Sequence, residues 1–283
     1  MSTVTTTTPG PALTGTNLDT VLLAVDRPQR PGAVSTSLTL AWRAALKMKN
    51  SAVEQLFDVL MMPVVFLLIF TYLFGGAFAG SVDNYLQFFL PGVLVMAAVM
   101  QTLATGHTVS VDIAKGIFDR FRTMPFWQPA SLVGTMLADL GRYLVTLVLT
   151  AGLGLLLGFR PGAGVSGMVL AILVILAFSF AFAWIFTTLG LITKSPDSIQ
   201  TQSMLLMAVV FCSNIFVDSA TMPAWIRAIV DINPISHLST AVRGLLHGTV
   251  TAGQLGLVGL STGLLLAIFA PLTMFLYNKK KSG

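Results

Sequence analysis

Asp139 and Arg142 are a carboxylate and a guanidinium three residues apart inside a long apolar run, so on a helix they share a face and can pair. The chemistry open to them is ion pairing rather than bond breaking. Charges at membrane depth are expensive and tend to be functional, whereas the same pair on a helix that projects two turns beyond the lipid is a structural brace; the residues allow both. A second set is uncharged: Gln200, Ser203, Met207, Val210 and Asn214 fall within about 80° on a helical wheel. That stripe suits one wall of a path for an amphipathic solute, or polar contacts between packed helices.

A third set is the island Gly116-Ile117-Phe118-Asp119-Arg120-Phe121-Arg122-Thr123-Met124-Pro125, charged and aromatic between two apolar runs. At helical spacing Ile117, Phe121 and Met124 form one stripe while Asp119, Arg122 and Thr123 point elsewhere, and Pro125 ends the segment. A short helix of this kind needs a lipid surface or another protein to cover its apolar side. The mix of ring, aliphatic and basic groups favours a protein.

No catalytic constellation accompanies these sets. No Gly precedes a Lys anywhere, which excludes a Gly-Lys phosphate loop. His107, His237 and His247 lack metal-site spacing, and the lone Cys212 excludes a disulfide framework, a paired-cysteine zinc site and a redox pair. A channel lacks its selectivity loop or charged ring. A secondary transporter would show inverted repeats with broken helices.

The elements that position these residues are membrane spans. Only 10% of the residues are charged and 55% are hydrophobic, against about one quarter charged in a soluble domain. Runs able to cross a hydrocarbon core occur at 59–78, 85–109, 165–193, 199–217 and 255–278, and a sixth at 131–159 carries Asp139 and Arg142 in its first half. The expectation is an all-α integral membrane protein of six spans. Arg43, Lys47, Lys49, Lys115, Arg120, Arg122, Lys194 and Lys279 to Lys281 fall on one side of that layout, and only Arg160, Arg227 and Arg243 on the other. Because basic residues near span ends stay inside, both termini are expected in the cytoplasm of a multi-pass protein of the cell membrane. These cations flank spans rather than line a groove with aromatic platforms, so anionic lipid headgroups explain the pI near 9.6 better than nucleic acid does.

Residues 1–37, rich in Thr, Pro and Gly at their start, read as a disordered cytoplasmic tail, 38–278 as the membrane domain and 279–283 as a short basic tail. Leu38 to Asp58 is amphipathic, with Trp42 on its apolar stripe and Arg43 and Lys47 on the far side, which suits a helix lying in the interface. Between spans five and six, Met222 to Val230 and Ile235 to Leu246 read as two short amphipathic helices split by Asn233-Pro234, a hairpin that lies in or re-enters the outer leaflet and caps a pathway. Gly154-x-x-x-Gly158 and Gly259-x-x-x-Gly263 offer close helix contacts.

Four pieces in order carry a resemblance: Asp119 to Pro125, Gly158-Phe159-Arg160, Lys194-Ser195-Pro196-Asp197, and Asn233-Pro234-Ile235-Ser236 with Ala241-Val242-Arg243-Gly244-Leu245. Over about residues 38–278 the chain resembles the permease subunits of type-2 ABC exporters, and within them the daunorubicin-resistance permeases of the DrrB kind. The resemblance implies a homodimer or pseudo-dimer of six-span permeases working with two copies of a separate ATPase subunit, on which ATP and Mg would be bound; this chain would bind no cofactor. It implies that 116–125 is the coupling helix and 38–57 the elbow helix, so that Ile117, Phe118, Asp119, Arg120, Phe121, Arg122, Met124, Trp42, Arg43 and Lys47 face the ATPase. Relatives of this kind export drugs, lipids or polysaccharides. A membrane scaffold that recruits an ATPase without transport is the reading from another class.

Overall fold

A computed structural model describes residues 39, 52–115, 130–193, 204–205 and 207–279. Every described element is helical: α1 Ala52–Ile69, a π-helical turn Phe70–Phe74, α2 Gly75–Ala79, α3 Val82–Ala114, α4 Ala130–Leu156, α5 Gly164–Ile192, a 3₁₀ turn Ser219–Thr221, α6 Ala224–Ile232, α7 Pro234–His247 and α8 Ala252–Lys279. Five stretches among them are long and apolar enough to cross a membrane: Leu60–Ala79, Val82–Asp112, Val133–Leu156, Gly164–Ile192 and Ala252–Tyr277. They match five of the six runs expected from hydropathy. Of the sixth, 199–217, only 204, 205 and 207 onward are described, and its helix ends at Phe211. The island at 116–125, the amphipathic segment around Trp42, Arg43 and Lys47, the 194–198 turn, Gln200, Ser203 and the tail at 1–37, Thr39 aside, lie outside the described residues.

Helix α3 is the centre of the bundle, with 78% of its most apolar window buried against 6% for α8. It packs against α1, α2, α4, α5 and α7, whereas α8 packs on α5 and α7. Its closest approach to α5 is made by glycine. A Cβ on Gly106 would lie 2.7 Å from the Phe186 carbonyl oxygen, and one on Gly190 would lie 2.7 Å from that of Gly106. The two backbones touch there, and a methyl group would force them apart. Of the two pairs expected from spacing, Gly154 does make a close contact, since a Cβ there would run into the Leu90 methyl carbons of α3, whereas Gly158 has open space and no other part of the described chain comes within 4 Å of a Cβ built on Gly259 or Gly263. Close contact depends on which helix lies opposite, and a four-residue interval does not encode that.

All the turns at one end of the bundle belong together. Gly158 adopts φ +105°, a left-handed conformation that ends α4 and turns the buried Phe159 back under the bundle. Gln87 of α3 holds this turn: its Nε2 donates to the Gly158 carbonyl and its Oε1 accepts from the Arg160 N–H, both at 3.2 Å. Gly158-Phe159-Arg160 is thus a helix terminator, a core plug and a backbone clip. The same end carries α6 and α7 and is called the hairpin end below; Lys115, Ala130 and Thr193 mark the opposite, island end.

Candidate functional site

At the hairpin end the last turn of the 207–211 helix must be satisfied, because the final four carbonyls of a helix have no partner within it. Asn233, between α6 and α7, supplies one cap: its Nδ2 donates to the Val209 carbonyl at 2.7 Å and to the Cys212 carbonyl at 2.9 Å. Its Oδ1 meanwhile accepts from the Ile235 N–H at 2.9 Å and so starts α7, with Pro234 as first residue. Arg243 of α7 holds the irregular segment that follows, its Nη2 donating to the carbonyls of Asn214 at 2.8 Å and Ile215 at 2.9 Å and its Nε to that of Phe88 in α3 at 3.0 Å. Its guanidinium also stacks on the Phe88 ring, 3.8 Å from the centroid. An arginine side chain keeps its charge at neutral pH even when buried, so these are charge-assisted bonds. Tyr85 closes the set by donating to the Phe216 carbonyl at 3.0 Å. Gly92 makes room: a Cβ there would lie 2.9 Å from the Ile215 oxygen.

This network corrects the expected stripe. Asn214 was put in line with Met207 and Val210 on a continuous helix, but the helix stops at Phe211 and Asn214 sits in the irregular segment beyond it, donating from Nδ2 to Thr240 at 2.8 Å. Met207 and Val210 do share a wall. They line a cavity of about 220 Å³ between α1, α3 and the 207–211 turn, whose other walls include Met62, Phe66, Met96, Met100 and Phe211. The one polar residue among its lining is Gln101. Four methionines give such a wall a flexible, polarisable surface that adapts to the shape it meets.

Toward the hairpin end the cavity is followed by a cluster of rings. Phe216 lies 5.1 Å from Phe211, 5.2 Å from Phe70, 5.7 Å from Phe89 and 6.2 Å from Phe66, centroid to centroid. Tyr85 holds its carbonyl and Arg243 that of the preceding residue, so Phe216 is fixed within the segment that follows the 207–211 helix. A cavity, a ring cluster and a capped helix end are therefore mechanically one unit. Residue patterns gave little warning of this, since Ser213 and Asn214 are polar residues of a kind that spans also carry and Met62, Met96 and Met100 read as ordinary span residues.

Nearer the island end, α4 presents Asp139 and Arg142 toward α3. Arg142 Nη2 lies 3.1 Å from Asp139 Oδ1. Thr105 of α3 donates its hydroxyl hydrogen to Asp139 Oδ2 at 2.6 Å, so the 2.7 Å contact between Thr105 and Tyr143 must be a donation from the Tyr143 hydroxyl. The chain Tyr143 to Thr105 to Asp139 links two helices and leaves both side chains of the pair mostly covered, Arg142 at 19% and Asp139 at 14% exposure. Among the described residues no three of His, Cys, Asp and Glu gather as metal ligands.

A model of the ABC-2 type transporter family matches residues 37–247, which include α1, α3 to α7, the cavity, the capped helix end and the ion pair. The chain is 51% identical, over 98% of its own length and 99% of the relative's, to the daunorubicin resistance ABC transporter permease protein DrrB1 of Streptomyces coeruleorubidus. It is 26% identical, over 76% of its length and 79% of the relative's, to the probable doxorubicin resistance ABC transporter permease protein DrrC of Mycobacterium tuberculosis. The match to a putative transport permease, ycf38 of Porphyra purpurea, is 24% over 67% of the chain and 68% of the relative. A family match over the whole cavity-bearing region and a relative 51% identical over 98% of the chain carry one conclusion: the chain belongs to the ABC-2 type transporter family.

Proposed function

We propose that the chain is the membrane subunit of an ATP-driven exporter that moves a hydrophobic or amphipathic compound, of which daunorubicin is the first to try, out of the cell. The observation that carries this reading is the methionine- and phenylalanine-lined cavity, large enough for part of a drug-sized molecule and free of fixed charge. Energy would come from a separate ATPase subunit, a reading supported by the lack of a Gly-Lys phosphate loop, since no Gly precedes a Lys. Two ATPase copies would serve two permeases, with ATP and Mg held on the ATPase. Gln200, Ser203, Met207 and Val210 would extend the cavity wall toward the island end. The decisive experiment is uptake of daunorubicin into inverted vesicles containing the permease and its ATPase. ATP should drive uptake and a non-hydrolysable analogue should not; equal signals with both would overturn the reading.

The proposed topology has six spans, both termini in the cytoplasm, and α6–α7 as a re-entrant hairpin in the outer leaflet. It draws support from α6, which leaves Trp225, Ile229 and Ile232 exposed, and from α7, whose Ile235, Leu238, Val242 and Leu246 are fully covered inside the bundle. A cysteine at position 81 or 250 is expected to react with an impermeant thiol reagent in intact cells, and one at 115 or 281 only after permeabilisation. Labelling of position 115 in intact cells would sink the topology.

In this reading 116–125 docks on the ATPase, with 38–57 as the elbow beside it. Phe121, flanked by Ile117 and Met124, is the anchor, since a ring in a desolvated pocket contributes about 2 kcal/mol or more, roughly thirtyfold in affinity. Phe121→Ala should lose the ATPase in pull-downs and uncouple hydrolysis from transport. Ala at Arg120 or Arg122 should weaken the complex mildly and in a salt-dependent way. A helix lying on lipid predicts the opposite order, at about 1 kcal/mol per basic residue. Retention of the ATPase by Phe121→Ala, with the arginine variants leaving the membrane, would overturn the docking assignment.

A further inference from the structure

Gln101 is 7% exposed and lines the apolar cavity from α3. Its Nε2 reaches back to the Ala97 carbonyl at 3.4 Å. A carbonyl can only accept, so the amide nitrogen is the atom turned to the helix and Oε1 is turned away from it. That oxygen has no hydrogen-bond partner among the described residues. Buried polar atoms are paired in the great majority of cases, and an orphan calls for an explanation. Water is a poor one here, because a buried water needs two to four polar partners and, among the described residues, this lining offers one polar side chain. The missing partner is therefore a donor carried by something otherwise apolar.

Size and charge narrow it further. A cavity of about 220 Å³ is smaller than the roughly 300–1,000 Å³ of sites that enclose a whole drug-sized ligand, so it takes one portion of such a ligand and leaves the rest outside. No charged side chain is among the lining residues, and a charge brought in would stay unpaired. We propose that this cavity binds an uncharged, largely apolar group bearing one hydrogen-bond donor, and that Gln101 Oε1 accepts from that donor and selects for it. The proposal deepens the exporter reading and rests on it for its biological meaning, but its test does not pass through transport.

The test uses the full chain in lipid nanodiscs, with the exposed Cys212 changed to Ser and Ala104, an exposed residue on the cavity wall, changed to Cys. Labelling of position 104 by a membrane-permeant maleimide is then followed against 1-naphthol and its O-methyl ether, which share a ring system and differ in the donor. Concentrations are corrected for partition into the nanodisc. The naphthol should protect at about three- to tenfold lower concentration than the ether, the worth of one hydrogen bond. In Gln101→Met, close in length but without the acceptor, the two should protect alike. Equal protection in the chain that keeps Gln101 would overturn the proposal, and so would a donor preference that survives Gln101→Met. If Gln101→Met does not elute as folded protein, the comparison of naphthol with ether on the Gln101 chain decides alone. Absence of ATP-driven daunorubicin uptake alongside an intact donor preference would overturn daunorubicin as the exported compound and leave this proposal standing.

Discussion

Arg243→Met should leave little folded protein. The guanidinium serves three carbonyls, and those of Asn214 and Ile215 belong to buried residues that have no helix to satisfy them. Stranding a buried acceptor costs about 1–3 kcal/mol, so two of them come to roughly 2–6 kcal/mol before the loss of the Phe88 stacking is counted, against a total stability of order 5–15 kcal/mol. Arg243→Lys should fall between. An ammonium keeps the charge near the helix end but cannot fork across carbonyls of α3 and of the 212–217 segment at once. Thermal unfolding followed by size-exclusion recovery in detergent measures the order: native above Lys, Lys above Met. A Met variant with native recovery would mean that water or lipid headgroups replace the guanidinium, and the account of how this segment is held would fail.

The ranking also tests what ties the cavity to the ring cluster. If Arg243 fixes the 212–217 segment, Arg243→Lys at a temperature where it is folded should show faster hydrogen exchange at Cys212 to Val217 than the native chain, with α5 unchanged. Uniform acceleration would instead mean that Arg243 acts on the bundle as a whole.

How far the residues alone reveal this depends on which force sets each feature. Span positions follow from hydrocarbon thickness and were legible: five runs of apolar residues became five long helices, and Asn233-Pro234 split α6 from α7 where side-chain capping and proline chemistry say it should. The end of the 207–211 helix was not legible, because Cys212 to Val217 contains no Pro, Gly or charge to stop a helix. Asn233 caps its last turn and Arg243 holds the segment that follows, both from far along the chain. Gly106 and Gly190 were missed for a related reason: they belong to different helices, so their contact has no spacing to read. Gln101 was visible as one amide in a span. Its importance comes from an unpaired oxygen facing apolar neighbours, and only packing creates that.

The pair at Asp139 and Arg142 yields the second large effect, and it should be asymmetric. Asp139→Asn keeps an oxygen for the Thr105 hydroxyl but strips Arg142 of its counter-charge, and a guanidinium cannot shed its proton to escape. Breaking a buried pair on that side costs about 3–5 kcal/mol. Arg142→Gln is the milder change, since the carboxyl it leaves behind still accepts from Thr105 and can neutralise itself with a proton. The double variant Asp139→Asn, Arg142→Gln places two amides where two charges stood and should recover most of the loss, as should the exchange of the two residues in part. Folded yield and unfolding temperature of the four variants decide between a buried pair and an exposed brace. An exposed i, i+3 pair contributes about 1 kcal/mol or less, equally from either side, so near-native behaviour of Asp139→Asn would show that water reaches the guanidinium. Should Asp139→Asn fail while the double variant folds, the cost lies in the stranded charge rather than in any lost contact, and Thr105 and Tyr143 then matter chiefly because they hold the carboxylate where Arg142 needs it.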